Sequence, residues 1–162
     1  HRFESYLSRL HFEFMYRYSR NKFEKCKNVT WDDVIAKLSY EFSLGTQKFI
    51  AEDKDIPPSF VTHSGAFPGT LFDACDELRV KENTDEVHLY ISLGANSSTF
   101  GRHNDDKHVL IVQSVGQMQY AFDDGALVTL VPGDSLLIKK GVYHTPIVPG
   151  PRVTLSASVS KF

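Results

Sequence analysis

Two hydrophobic patterns divide the chain. Up to about residue 45 the apolar positions recur every three or four residues, which predicts amphipathic helices. The apolar stripe of the first predicted helix is Phe3, Tyr6, Leu7, Leu10 and Phe14. A second helix is predicted to begin after Thr30, a good N-cap residue, and to end at Gly45. Its apolar stripe is Trp31, Val34, Ile35, Leu38 and Phe42.

From residue 46 onward the pattern favours strands. Val87, Leu89, Ile91 and Leu93 alternate with other residues, as in a strand with one buried face. Further strands are predicted at 46–51, 108–114, 117–122, 126–131, 135–139, 143–148 and 152–159. An irregular loop is expected around 57–65, and a short helix at 69–78. Strands this short and this closely spaced predict an antiparallel barrel or a double-sheet jelly roll.

The organisation that follows is one mainly β domain over residues 1–162. Residues 1–45 form its helical N-terminal part, packed outside, and residues 46–162 form the β-barrel. A chain of 162 residues is long enough for one domain with its own core. Cys26 and Cys75 suggest no disulfide framework, and no apolar run is long enough to cross a bilayer. We therefore expect a cytoplasmic protein with no membrane partner.

The charge is unevenly distributed. Residues 1–27 hold seven Lys or Arg against three Glu, a local net charge of +4 within a chain of net charge −2. This basic, aromatic-rich segment is a candidate contact for nucleic acid or an acidic partner, and its aromatics are compatible with a homodimer. The alternative is a solvated helix face whose aromatic residues pack on the barrel.

The candidate chemistry lies in three residues of the β region. His103 and Asp105 are two residues apart, and His144 follows 39 residues after Asp105. Residues i and i+2 of a strand project from the same face, so we expect His103 and Asp105 to point into the barrel together. Two imidazoles and one carboxylate are the ligand set of a facial Fe(II) site with open coordination positions.

The stretches around these residues resemble a known family. Phe100-Gly-Arg-His103-Asn-Asp105-Asp106, with Val109-Leu-Ile-Val-Gln113 and Gly116, is similar to the first metal motif of JmjC-type cupins. Val128 to His144, with Pro132-Gly133-Asp134 and Gly141, is similar to the second. The resemblance covers about residues 85–160 and is closest to the ribosomal-oxygenase branch.

The resemblance implies a double-stranded β-helix and a hydroxylase that uses Fe(II), 2-oxoglutarate and O₂, with His103, Asp105 and His144 as iron ligands. Generic cupins add a Glu where this chain has Val109 and Leu110. A missing fourth ligand leaves three open positions, the number that bidentate 2-oxoglutarate and O₂ require.

One position departs from the family. The basic residue that usually binds the distal carboxylate of 2-oxoglutarate is replaced by Met118, which cannot pair with an anion. Arg152, two residues before Thr154, is our first choice for a relocated anchor, and a surface arginine at a strand edge is the alternative. Thr99 and Tyr90 are candidate hydroxyl donors to the co-substrate. Gln113 is a candidate for orienting a ligand.

Met118 keeps three functions open. The first is a 2-oxoglutarate-dependent oxygenase with a relocated anchor, and its substrate is first expected to be a polypeptide side chain, then a small molecule or a nucleic-acid base. The second is a cupin enzyme that binds its substrate directly to the metal. The third is a non-catalytic metal-binding cupin module that contacts a partner through residues 1–27.

Overall fold

The computed structural model describes residues 15–63 and 68–162, which form ten strands and two α-helices. The strands are β1 (Tyr16–Ser19), β2 (Lys48–Ile50), β3 (Ser59–His63), β4 (His88–Ser92), β5 (His108–Val115), β6 (Met118–Phe122), β7 (Leu127–Leu130), β8 (Ser135–Ile138), β9 (His144–Ile147) and β10 (Arg152–Val159). The helices are α1 (Trp31–Leu44) and α2 (Gly69–Glu82), preceded by a 3₁₀ turn at Lys25–Asn28. The protein is mainly β, as predicted.

Over the described residues the strands form two antiparallel sheets. The large sheet has seven strands in the order β1-β8-β5-β10-β4-β3-β2, and the small sheet has three in the order β7-β6-β9. In the large sheet, β10 lies between β5 and β4, and β1 pairs with β8, so these neighbours come from distant parts of the chain. By contrast, β6 and β7 form a hairpin. This is the jelly-roll arrangement of the double-stranded β-helix, and it confirms the predicted fold class.

Each face of the large sheet has its own hydrophobic core. On the outer face, α1 and α2 bury Val34, Leu38, Leu71 and Leu78 against β4, β5 and β10. On the inner face, Ile111 and Leu136 pack against the small sheet. The small sheet contributes Met118, Tyr120, Phe122 and Leu130 to this second core. The helices therefore lie outside the barrel, as predicted, and leave its interior for the site.

Four predictions about the first 82 residues have different outcomes. The helix predicted over residues 3–14 lies outside the described residues. Tyr16–Ser19, predicted within the helical part, form a strand instead, because they pair with β8 and Tyr16 stacks on Phe122 at 3.9 Å. The predicted loop at 57–65 contains strand β3, in which Ser59 binds Ser92 through its buried hydroxyl at 2.7 Å. The short helix predicted at 69–78 continues to Glu82.

Three further features of the described residues are the hydropathy of the helices, the two cysteines and the ion pairs of the basic segment. No helix in residues 15–63 and 68–162 has both the length and the hydropathy needed to cross a membrane. Cys26 and Cys75 are free thiols in the outer core, and burial raises the pKa of Cys75 to about 12. Lys22 and Lys27 form ion pairs with Glu82 and Glu24. A nucleic-acid contact by the basic segment stays a prediction.

Gly116 is required between β5 and β6. Its φ is +69°, and a Cβ atom there would lie 2.1 Å from the carbonyl oxygen of Pro151. We expect Gly116→Ala to lower the free energy of unfolding by about 3 kcal/mol or more, because left-handed strain and a backbone clash add. Urea denaturation measures the loss. Gly125→Ala is the control, since Gly125 also has a positive φ (+88°) but open space around it. An equal loss in both variants would contradict the clash.

Candidate metal centre

The fold brings the three predicted ligand residues together through backbone hydrogen bonds. His103 and His144 form an isolated antiparallel bridge in which each amide donates to the other's carbonyl, at 3.0 and 2.9 Å. The carbonyl of Asp105 accepts a hydrogen bond from the amide of Gly141 at 2.8 Å. One ligand atom from each of the three side chains lies within 4.8 Å of the others.

The route to this arrangement differs from the predicted one. His103 and Asp105 were expected on one strand, but β5 begins only at His108 and both residues precede it. They point to the same site because the bridge to His144 extends the sheet locally to His103. His144 begins strand β9, as predicted. The prediction that His103 and Asp105 lie together at one site agrees with the structure, but the two residues lie on a loop before β5 and not on a strand.

Both imidazoles are oriented by a backbone carbonyl. Nδ1 of His103 lies 2.9 Å from the carbonyl oxygen of Gly101, and Nδ1 of His144 lies 3.1 Å from that of Val142. A carbonyl can only accept, so each Nδ1 carries the proton and each Nε2 presents a lone pair. Ligand histidines in metal sites are held in the same way. The third donor, Oδ2 of Asp105, lies 3.7 Å from Nε2 of His144.

Burial further prepares His144 as a ligand. Its side chain is 3% exposed, whereas that of Asp105 is 35% exposed. Burial lowers the pKa of His144, which outweighs the opposing effect of the hydrogen bond to Val142. A histidine with a lowered pKa stays neutral at neutral pH, and the neutral form is the one that binds a metal. The half-exposed Asp105 keeps the freedom to rotate towards an ion.

The donor set fits a divalent transition metal. Adjacent ligand atoms around one such ion stand roughly 3 Å apart, given bond lengths near 2.1 Å. The three donors lie within 4.8 Å of one another, and Oδ2 of Asp105 lies 3.7 Å from Nε2 of His144, so side-chain rotations are enough to close the set around an ion. Among the described residues, these three are the only group of His, Cys, Asp or Glu that meets the spacing of a metal site. A metal held here has protein ligands on one side and the cavity on the other.

The three residues lie in the wall of a cavity of about 330 Å³ between the two sheets. Arg152 lines the same cavity and is 4% exposed, so it is not the surface arginine of the alternative prediction. Its Nε donates to Ser92 Oγ at 2.9 Å. No described carboxylate lies within ion-pair distance of it, and burial lowers its pKa. Arg152 is therefore a buried cation at the inner end of the cavity, without a counter-ion among the described residues.

The other predicted co-substrate residues also line the cavity, with different hydrogen bonds. The guanidinium of Arg152 lies over the ring of Tyr90, 5.7 Å from its centre. Thr99 accepts a hydrogen bond from the amide of Gly101 and keeps its own proton available. Thr154 donates its proton to Gln113 at 2.8 Å. Thr154 thus offers a carboxylate no proton, and Gln113 orients Thr154 rather than a metal ligand.

Sequence reasoning missed Tyr120. It is 4% exposed, lines the cavity and interacts electrostatically with Arg152. Burial raises its pKa to about 12, so its hydroxyl stays protonated as a donor. Met118 lines the cavity too, two residues earlier on β6. Because alternate strand residues share a face, the position of Met118 in the motif was a signal that Tyr120 also faces the site.

The far end of the cavity is polar. The register of β10 places Arg152 opposite Ser92 and Ser156 opposite His88, so the cavity runs along the strand away from Arg152. The residues that line this outer end are Thr84, Glu86, His88, Lys107, Ser156 and Ser158. The cavity therefore has an inner, cationic end and an outer end that carries both charges.

No protein-family model and no curated protein matches the chain. Several solved structures do resemble its fold. The ribosomal oxygenase YcfD from Escherichia coli, in complex with cobalt and succinic acid, is 15% identical with a TM-score of 0.58. That match covers 91% of this chain and 48% of the other, so this chain spans about half the length of the YcfD chain.

A prolyl-4-hydroxylase from Pseudomonas putida is 11% identical with a TM-score of 0.55, over 90% of this chain and 92% of the other. A further YcfD structure is 17% identical with a TM-score of 0.54, over 69% and 34% of the two chains. Likenesses at such low identity establish the fold and not the activity. The chain has a jelly-roll fold, in the form that these three structures also adopt.

Proposed function

We propose that the protein is an Fe(II)- and 2-oxoglutarate-dependent oxygenase that hydroxylates a polypeptide side chain. The observation that carries the proposal is the buried cation Arg152 in the same cavity as the His103, Asp105 and His144 side chains. A buried cation without a counter-ion is costly, and a ligand that brings a carboxylate relieves that cost. A metal site and a carboxylate-binding site in one cavity suit a dicarboxylate that binds the metal through a 2-oxo acid group and the cation through its second carboxylate.

The protein supplies three metal ligands on one face. In this proposal, His103 and His144 bind through Nε2 and Asp105 through its carboxylate, which leaves three positions towards the cavity. When bound to these three ligands, Fe(II) would supply the chemistry that converts 2-oxoglutarate, O₂ and a substrate C–H group to succinate, CO₂ and a C–OH group. The chain's residues hold the geometry open, and the surrounding aromatic residues of β6 keep water away.

The inner end of the cavity would hold the distal carboxylate. Arg152 keeps its terminal nitrogens for this anion, because its Nε is already hydrogen-bonded to Ser92. The hydroxyls of Tyr120 and Tyr90 add donors from the facing sheet and from β4. Thr99 stands on the loop before His103, and Thr154 supports the pocket wall through Gln113. Relocation of the anchor from position 118 to Arg152 leaves Met118 as an apolar wall residue.

The substrate would enter from the polar outer end. Glu86 and Lys107 at this end are exposed and of opposite charge, which suits the mixed polar surface of a polypeptide. Two proteins whose solved structures share this fold are, by name, a ribosomal oxygenase and a prolyl-4-hydroxylase, and this supports a protein substrate. We place this activity in the cytoplasm and propose that the protein acts on its substrate as a homodimer.

The proposal predicts a visible charge-transfer band. We expect the band when 2-oxoglutarate is added to the anaerobic Fe(II) protein, because a 2-oxo acid bound through two oxygens to Fe(II) absorbs in the visible range. Zn(II)-loaded protein is the control and should show no band, because Zn(II) is not readily oxidised and so gives no charge transfer to the ligand in the visible range. Succinate formed after admission of O₂ measures turnover. Iron binding without a band or succinate would overturn the 2-oxoglutarate proposal.

A second function is favoured by the side chains at two positions. Met118 is uncharged at the position where the family carries its basic residue, and Thr154 gives its proton to Gln113, so neither side chain donates to a carboxylate. A cupin enzyme that binds its substrate directly to the metal needs neither. Turnover of a substrate without 2-oxoglutarate would identify this function, and a metal site without any turnover would indicate a binding module.

A further inference from the structure

Three exposed residues form a cluster on the outside of the metal centre. The guanidinium of Arg102 holds Asp123 through two hydrogen bonds, Nε to Oδ1 at 2.9 Å and Nη2 to Oδ2 at 2.6 Å. The same guanidinium lies 4.0 Å from the ring centre of Tyr143. We call Arg102, Asp123 and Tyr143 the outer brace. None of the three is among the residues that line the described cavity.

Each member of the outer brace is the chain neighbour of a residue at the site. Arg102 precedes His103, and Tyr143 precedes His144. Asp123 follows Phe122, which pairs with His144 in the small sheet. Because neighbouring side chains in extended backbone point to opposite sides, the ligands face the cavity and the outer brace faces solvent. From outside, the brace therefore joins the two segments that carry the ligands and fixes both to the end of β6.

The backbone holds the His103 segment at only a few points, one of which is the hydrogen bond from the Gly141 amide to the Asp105 carbonyl. His103 belongs to no strand and is fixed to His144 by the two hydrogen bonds of one bridge. Gly101, two residues earlier, has a φ of +63°, and a Cβ atom there would have open space around it. A bidentate guanidinium–carboxylate pair that also stacks on an aromatic ring has one preferred geometry, unlike a flexible surface ion pair. It can therefore limit the motion of the loop that carries His103.

We propose that Arg102, Asp123 and Tyr143 are positioning residues that set the separation of His103 and His144 and so raise the affinity of the centre for its metal. This inference rests on the metal site of the proposed function. The outer brace touches neither metal nor co-substrate, and it acts only through the backbone positions of the two histidines.

A simpler explanation predicts opposite signs. If the charges acted only through their electric field, loss of the cation at Arg102 would strengthen binding of a metal cation, and loss of the anion at Asp123 would weaken it. If the two act as a brace, either substitution releases the same loop and weakens binding. The double variant then loses little more than each single variant, because the pair is one unit.

The test is a Co(II) titration of metal-free protein with the variants Arg102→Gln, Asp123→Asn and both together. We expect each variant to bind Co(II) roughly three- to tenfold more weakly than wild type, the range for an exposed bidentate pair with a stacked ring. Tyr143→Phe keeps the ring and should bind as wild type does. Arg102→Lys keeps the charge but loses the fork, and should recover only part of the loss.

Two controls separate positioning from a structural role. Lys22→Gln breaks a similarly exposed ion pair with Glu82, remote in the chain from the ligands, and should leave Co(II) affinity unchanged. The free energy of unfolding of the metal-free variants should also stay near that of wild type, since all members of the outer brace are exposed. Affinity that falls without loss of stability supports the proposal.

The contrary outcomes are distinct. Co(II) affinity that is unchanged in Arg102→Gln, or that rises there and falls in Asp123→Asn, would overturn the outer brace while the metal centre stands. Wild-type protein that binds no Co(II) would overturn the metal centre of the proposed function and the outer brace with it.

Discussion

Replacement of Asp105 by alanine is expected to weaken Co(II) binding at least about 100-fold and to abolish the charge-transfer band with Fe(II) and 2-oxoglutarate. The variant loses the one anionic donor of the three and keeps two neutral imidazoles. Changes to residues that only support a metal ligand already cost about 10- to 100-fold in affinity, so loss of a ligand should cost more. Titration of metal-free protein followed by the absorption of bound Co(II) gives both affinities.

The matched control is Asp106→Ala, which removes the same charge one residue further along. Asp106 is exposed and does not line the cavity, so its loss changes the local field without removing a donor. We expect its Co(II) affinity to stay within about threefold of wild type, as for a screened surface charge. Equal losses in the two variants would show that the site attracts cations through its net charge, without ligation by Asp105.

The sequence predicted best where a pattern depends on local geometry. The alternation in 108–159 placed β5 to β10 within about a residue of their true bounds, and Thr30 does cap α1 through its side chain. The turn at Pro132-Gly133-Asp134 was predicted from its residue types, and Gly133 adopts a φ of +93° there, which glycine tolerates. These features are decided by residues close in sequence, which is why the periodicity alone revealed them.

Features decided by distant partners were not predictable. Tyr16–Ser19 carry little strand signal of their own, and they are a strand only because β8 offers an edge more than a hundred residues away. β3 follows the Pro57-Pro58 pair and is held by β2 and β4. The same holds at the site, where the motif named the candidate ligands but the bridge that aligns the two histidines links residues 41 positions apart.

Removal of the cation at Arg152 is expected to have two opposite effects. In Arg152→Met, of similar length and without charge, 2-oxoglutarate should bind at least about 30-fold more weakly, the lower end of the cost of breaking a buried charge pair. The same variant, free of ligand, should be as stable as wild type or more stable by about 1–4 kcal/mol, because a buried cation gives way to an apolar side chain. Ser92 stays satisfied, since its hydroxyl also binds Ser59.

The two effects together distinguish a co-substrate anchor from a structural arginine. Denaturation with and without 2-oxoglutarate measures both, because a ligand that binds only the folded protein raises its stability. Wild type should gain stability from 2-oxoglutarate and the Arg152→Met protein should not. Thr154→Val is the neighbouring control, and its effect on 2-oxoglutarate binding should be smaller, as Thr154 gives its proton to Gln113.

If the Arg152→Met protein unfolds more easily and binds 2-oxoglutarate as wild type does, Arg152 supports the fold, and the cavity must then receive its anion elsewhere. A gain in stability combined with lost binding has one physical explanation, which is that the protein keeps a costly buried charge because its co-substrate needs it.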